Sequence, residues 1–315
     1  MAGVGGRADG PAAPRAPAGR AAALHGRPFP ATPRRVSSSP AARTVLVTGC
    51  ASGIGHHAAH ALAARGWRVL ATCRQEADCE RLRAEGLESF ALDYACAQSV
   101  AEGAAEALRR TEGRLEALYN NGAFALPGAV EDVPRDGMRA IVEANLLGPH
   151  DLARRVLPAM RAAGRGRIVN CSSVLGVVAM PWRGAYNATK FALEGLTDTL
   201  RLELRGSGVH AILLEPGPIA TAIREKSVPH FERWIDWRAS ALAARYEAEL
   251  IPRLHAPAAR APGGRDVAAV TRALVRALEA PRPRARYRVT PHTHLAEALR
   301  RLASTRLRDA LLARG

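Results

Sequence analysis

Lysine is almost absent from this 315-residue chain: of 45 basic residues, only Lys190 and Lys226 are lysines. So heavy a preference for arginine, in an alanine-rich sequence, fits a GC-rich coding background, and much of the formal charge of +16 follows from that bias. Aromatic residues are few, at 4%, and no apolar run reaches the roughly 18 residues that a spanning helix needs. Cysteines stand at 50, 73, 79, 96 and 171 without any CxxC pair, and an odd number cannot close a disulfide framework. Zinc-finger and disulfide-stapled classes therefore drop out, no metal site is expected, and a reducing cytoplasm is the expected setting. Acid is missing from residues 1–43 apart from Asp9. That Ala/Pro/Arg-rich segment cannot bury enough apolar surface to offset chain entropy and is expected to be disordered. Its bias is similar to that of an organelle transit peptide, but seven prolines by residue 40 oppose an amphipathic helix, and an upstream start-codon artefact is the other reading.

What is present begins with the placement of charge. Residues 1–43 carry seven Arg, and residues 282–315 carry nine Arg against Glu297 and Asp309, so the body is nearly neutral. A neutral body with solvated basic ends fits an enzyme better than a nucleic-acid binder. From Arg43 onward, short β-branched runs alternate with longer Ala/Leu-rich stretches, the pattern of repeated βαβ units. Strands are predicted at 44–48, 68–72, 89–92, 117–120, 167–171, 209–214 and 286–289, and helices at 55–65, 98–110, 135–161 and 184–206. The expected fold is α/β, a Rossmann-type doubly wound parallel sheet flanked by helices in a single domain over residues 44–290, followed by a basic helical extension at 291–315. Its ligand crevice belongs at the carboxyl ends of the strands.

The first strand runs straight into Gly49, Gly53 and Gly55 and then into an Ala-rich helix. Gly49 permits a tight turn, Gly53 a close approach of backbone to a pyrophosphate, and Gly55 close packing of a helix whose first amides, with Ser52 and Ile54, face the anion. At the end of the second strand Cys73 is neutral and Arg74 cationic, where an acid would select ribose hydroxyls. A guanidinium there favours a 2′-phosphate, hence NADP over NAD, although a surface arginine is common in so Arg-rich a chain. Tyr186 and Lys190 lie four apart in a helical stretch and so share a face. An ammonium beside a phenol is expected to draw its pKa down and make Tyr186 a usable general acid/base.

With TGxxxGxG at 48–55, Asn120–Asn121, Asn145, Ser173, Tyr186, Lys190 and Pro216–Gly217 with Thr221 in order, the chain resembles the short-chain dehydrogenase/reductase family over about residues 44–225. "GRIVNCSSVLG" and "EPGPI" are similar to a bacterial subgroup related to hydroxysteroid, retinol and aldehyde reductases. The resemblance implies catalytic roles for Asn145, Ser173, Tyr186 and Lys190, with Ser172 the alternative to Ser173. It implies cofactor contacts from Asp93, Asn121, Tyr186, Lys190, Pro216, Gly217, Ile219 and Thr221. One departure stands out: the family's Asn-Asn-Ala-Gly reads Asn120-Asn121-Gly122-Ala123 here, which puts the following turn in doubt.

A substrate lid is expected at about 222–264, where Phe231, Trp234 and Trp237 recur at intervals of three and would form an aromatic stripe, with Trp182 as a further contact. That suits a lipophilic carbonyl or alcohol; a short helix packed on the core is the bland alternative. His56, His57 and His60 directly follow the phosphate loop with no acidic or cysteine partner, and read as surface or near-phosphate residues. Leucines among the arginines of the last 25 residues suit docking on the body or on a second copy, with weak contact to a membrane surface as a lesser option. The functional expectation is NADPH-dependent reduction of a lipophilic aldehyde or ketone by a homo-oligomer. The alternative is a peripheral membrane- or nucleic-acid-binding protein that uses the fold for cofactor sensing.

Overall fold

The computed structural model describes residues 43–256 and 264–313. The expected disorder of residues 1–43 lies outside these but for Arg43, as do residues 257–263 of the expected lid. Seven strands, β1 (Thr44–Val47), β2 (Arg68–Cys73), β3 (Glu88–Ala91), β4 (Ala117–Asn120), β5 (Gly166–Cys171), β6 (Val209–Glu215) and β7 (Arg286–Arg288), lie in the order β3-β2-β1-β4-β5-β6-β7. Every neighbouring pair is parallel. The order reverses between β1 and β4, and a doubly wound sheet opens its crevice at that switch point.

Helices cover both faces, and β1 shows why. Its side chains alternate, so Val45 and Val47 pack with Ala58 and Leu62 of α1 (Gly53–Ala63), whereas Leu46 packs into a second core. That second core takes Val100 and Ala104 from α3 (Ala97–Arg110), which follows the polar α2 (Glu76–Ala84). Each fully buried Val or Leu contributes about 1.5–3 kcal/mol. The expected single helix at 135–161 is broken: α4 (Arg135–Val142) passes through a π-helical turn, Glu143–Leu147, before α5 (Gly148–Ala162) resumes. Next come α6 (Gly184–Glu203) and α7 (Ile223–Trp234), then the short α8 (Ala243–Arg245) and α9 (Ile251–His255), joined by a second π-helical turn at Tyr246–Leu250. After them α10 (Val267–Glu279) joins the α1 layer through Val270 and Leu274.

The carboxyl end of the chain folds back as α11 (Pro291–Leu302) and α12 (Thr305–Leu312). Ala296 packs on Val177 and Val178, and a Cβ placed on Gly217 would stand 2.0 Å from Thr290 Oγ1. The basic ends are therefore not all solvated. Arg286 pairs with Glu194, Asp198 and Glu215, and Arg288 with Glu215 and Glu297. Burial outweighs both guanidiniums at Glu215 and raises its carboxyl to about 7.

Candidate active site

The phosphate loop is shaped by what lies behind it. Gly49 has φ +68°, and a Cβ there would meet Gly122 Cα at 2.7 Å; one on Gly55 would meet the Gly49 carbonyl oxygen at 2.3 Å. Both positions therefore need glycine, the first for conformation and the second for space. Asn121, just past β4, donates from Nδ2 to the Thr48 carbonyl (3.0 Å) and the Gly49 carbonyl (3.3 Å), which joins the loops across the switch point. Gly53, with φ +61°, faces Thr221, whose Cγ2 would lie 3.6 Å from an added Cβ. Thus Ser52, Gly53, Ile54 and Gly55 open α1 directly beneath the loop that follows β6.

The exchange of Gly and Ala at 122 and 123 has a steric cause. A Cβ on Gly122 would meet the Tyr94 ring at 3.0 Å, and Tyr94 occupies that space because its buried hydroxyl donates to Asn120 Oδ1 (2.5 Å) and bonds Thr48 Oγ1 (2.8 Å). The Thr48 hydroxyl in turn accepts from the backbone amides of Asn121 (2.9 Å) and Gly122 (3.2 Å). The turn is held by this network.

The four motif residues converge where β5, α6 and the π-helical turn meet. Ser173 follows β5 and accepts at Oγ from the Leu175 amide at 3.1 Å. Its side chain also lies beside the Tyr186 phenol and favours the phenolate. Ser172, the alternative, is buried with no hydrogen-bond partner in good geometry for its Oγ. Lys190 Nζ donates to the Cys171 carbonyl at 2.7 Å and stands 5.5 Å from the Tyr186 ring centre. Asn145, inside the π-helical turn, accepts from the Phe124 amide (3.0 Å) and donates to the Phe124 carbonyl (2.9 Å) and to Thr189 Oγ1 (3.3 Å). One expectation is corrected. Burial raises the Tyr186 phenol above its ordinary value, and the charge that opposes this comes from Arg183 rather than Lys190, whose own pKa burial lowers.

The remaining cofactor candidates are spread along the crevice. The Pro216 carbonyl accepts from the Val174 amide at 2.8 Å, tying the loop after β6 to the Ser173 turn, and Ile219 bridges to Arg265. Arg74 is exposed and makes no hydrogen bond or ion pair among the described residues, though its charge helps hold down the His230 pKa. Asp93 closes a turn, its Oδ1 accepting from the Ala95 amide at 3.0 Å. Sequence reasoning missed Lys226 of α7, whose Nζ donates to Ser52 Oγ at 2.5 Å above the phosphate loop. Its rarity was the available signal.

On the substrate side, Trp182, Tyr186 and Phe231 are buried in one apolar cluster with Leu126, Ile141 and Tyr246, and Trp234 is packed at its edge. Trp237 falls beyond the end of α7, so the aromatic stripe is not a single helical face. Trp182 has φ +64°, a strained conformation for a bulky residue, held by its carbonyl accepting from the Gly128 amide (3.1 Å) and its indole donating to Glu249 Oε2 (2.9 Å). Phe124 stacks on His230, with ring centres 4.0 Å apart. A cavity of about 150 Å³ between α5 and α6 is lined by none of the four motif residues. The expectation that His56 and His60 lack an acidic neighbour fails, because the turn after α2 brings Glu85 to both.

Residues 43–231 match the family profile described as short chain dehydrogenase. The uncharacterized oxidoreductase YbbO of Escherichia coli (strain K12) is 44% identical over 179 residues, 57% of this chain and 66% of that protein. The 17-beta-hydroxysteroid dehydrogenase type 1 of Homo sapiens is 38% identical over 208 residues, 62% of each chain. In both cases the chain spans slightly less than two thirds of the relative's length. A crystal structure of a short chain dehydrogenase/reductase from Burkholderia phymatum in complex with NAD superposes with a TM-score of 0.68 at 25% identity, covering 86% of this chain and 95% of that one. A metagenomic short-chain oxidoreductase in complex with NADP gives a TM-score of 0.51 at 32% identity, covering 56% and 82%. A glycine turn at the sheet's switch point, a serine and a tyrosine set side by side near a lysine, and a profile that spans them all lead to one conclusion: the chain belongs to the short-chain dehydrogenase family.

Proposed function

We propose that the protein is an NADP-dependent oxidoreductase that reduces a lipophilic aldehyde or ketone to the alcohol. The observation that carries this reading is the meeting of Ser173 and Tyr186 at the carboxyl end of β5, with Lys190 Nζ 5.5 Å from the phenol ring centre and an apolar cluster alongside. When bound, the reduced nicotinamide supplies the hydride. Ser173 donates a hydrogen bond to the carbonyl oxygen where negative charge grows, and the Tyr186 hydroxyl gives that oxygen its proton. A burial-raised phenol is well suited to hold this proton until an oxyanion calls for it. Lys190 is fixed by the Cys171 carbonyl with its ammonium 5.5 Å from the ring centre, and the charge of Arg183 favours the phenolate left after transfer. Asn145 fixes the Phe124 backbone against α6 and so holds the tyrosine helix in place.

Two cations support NADP. Arg74 makes no hydrogen bond among the described residues and follows the neutral Cys73 rather than an acid, and Lys226 brings an ammonium to the phosphate-loop serine. Gly49, Ser52, Gly53, Ile54, Gly55, Asp93, Asn121, Pro216, Gly217, Ile219 and Thr221 would line the remainder of the dinucleotide. No helix among the described residues is long and apolar enough to cross a membrane, and all five cysteines are free, in keeping with a reducing cytoplasm. The exposed Leu295, Leu302, Leu307 and Leu311 favour the second reading, a surface-membrane contact. That reading needs salt-sensitive vesicle binding that survives Tyr186→Phe.

The test is NADPH oxidation with aldehydes, ketosteroids, retinal and quinones, with NADH in parallel. Tyr186→Phe is expected to lower turnover by about 10²–10⁴-fold with NADPH affinity retained, whereas Lys190→Ala damages both. Arg74→Ala is expected to weaken NADPH by about 10–100-fold and leave NADH unchanged. Full activity in Tyr186→Phe removes the mechanism; equal use of both nucleotides removes the NADP assignment.

A further inference from the structure

We propose that His56, His60 and Glu85 form a binding site for a divalent transition metal of the zinc class, clasping α1 to the end of α2. The three ligand atoms lie within 4.8 Å of one another. Nε2 of His56 and Nε2 of His60 each stand 2.7 Å from the same carboxylate oxygen, Glu85 Oε2, with the two ring centres 4.6 Å apart. Local geometry produces this. The histidines are four apart on α1, so their rings leave the helix on one face, while His57 between them points elsewhere, to Thr271 Oγ1 at 2.8 Å.

The donor set is that of an open site. Two imidazoles and one carboxylate select zinc or its first-row neighbours over magnesium or calcium, and three protein ligands leave a fourth position for water. Zinc bonds of about 2.0–2.2 Å set ligand atoms about 3.4 Å apart in a tetrahedron, so the carboxylate oxygen draws back from each nitrogen while the two imidazole nitrogens, no more than 4.8 Å apart, turn toward each other on their exposed side chains. The side chains are 30–38% exposed, so a cation reaches them from solvent without unfolding anything. Glu85 is also the C-cap of α2, where the helix presents its negative end. Metal displaces the protons shared between Nε2 and Oε2, and each neutral imidazole then carries its hydrogen on Nδ1.

The surroundings leave Oε2 to the imidazoles. Among the described residues the arginine paired with Glu85 is Arg81, with Nε 3.7 Å from Oε1, and its other nitrogens are held by Asp78 Oδ1 (2.8 Å) and the Ala51 carbonyl (2.7 Å). Ala51 belongs to the phosphate loop. A metal on Oε2 would therefore stiffen a bracket that runs from α1 through Glu85 and Arg81 to that loop.

Calorimetric titration of Zn²⁺ into the full chain, prepared without a polyhistidine tag, is expected to show one saturable site per chain and a rise in melting temperature. His60→Gln and Glu85→Gln should each weaken binding by at least about 100-fold, since even outer partners of metal ligands are worth about 10–100-fold, and should abolish the melting shift. His57→Gln should leave both unchanged. Co²⁺ absorption in the unaltered protein gives a readout independent of the variants: intense tetrahedral bands support the site. Absence of saturable Zn²⁺ uptake, or uptake that is the same in His60→Gln and Glu85→Gln, overturns it.

Discussion

A single missing methyl group at position 122 connects two distant parts of the chain. Tyr94 fills the volume that an alanine side chain would use, and its hydroxyl, between Thr48 and Asn120, keeps it there. Gly122→Ala is therefore expected to destabilise the protein by about 1–3 kcal/mol, as overpacked sites do, with the loss read from urea midpoints. Combined with Tyr94→Val, which clears the space, the alanine should lose much of its penalty; additive effects in that double-mutant cycle would show that the ring is not the obstacle. Residue-scale features were legible where they are local. Tyr186 and Lys190 announce themselves because four positions on a helix make neighbours, and Gly49, Gly53 and Gly55 because a strand runs into them. The Tyr94–Gly122 contact and the Glu85–His60 pair depend on how strands and helices come together, and no spacing along the chain encodes them.

At the scale of elements, the strands followed from alternation, and each predicted strand begins within a residue or so of the observed one. The helices were less legible. In α2 only Cys79 and Leu82 are buried, so a helix that meets the core at two points leaves no apolar period to read. The π-helical turn at Glu143–Leu147 was hidden for another reason: an extra residue in a helical ladder leaves composition unchanged, and only the buried Asn145 reaching Phe124 shows what the distortion accomplishes. Asn145→Ala would orphan the Phe124 amide and carbonyl together. A stability loss of about 1–3 kcal/mol by chemical denaturation is expected, with a fall in turnover larger than the change in KM. A variant as stable and as active as the parent would mean that the turn holds itself.

For the whole molecule, charge count was a poor guide to charge placement. Arginines near the carboxyl end that composition assigns to solvent instead surround Glu215, which is fully buried. Because the folded carboxyl sits at about 7, above its unfolded value, the native state holds a proton that the unfolded chain has released, and stability falls as pH rises from about 4.5 through 7. Glu279 acts in the opposite sense. Hydrogen bonds from Arg65 and Trp67 hold it at about 2, so its contribution is present above about 4.5 and is lost as pH falls toward 2. Urea midpoints at pH 5 and pH 8 should therefore differ less in Glu215→Gln than in the parent, by an amount on the order of 3 kcal/mol; an unchanged difference would assign the slope to other groups.

The final helices carry a consequence for anyone who trims the polypeptide. Thr290 and Thr293 fill the hollow behind Gly217, and Ala296 shelters Val177 and Val178 beside the serine turn, so the reaction centre leans on the tail as a room leans on its back wall. Cutting ahead of residue 290 would leave every motif residue in the gene and still strip the scaffolding from behind them.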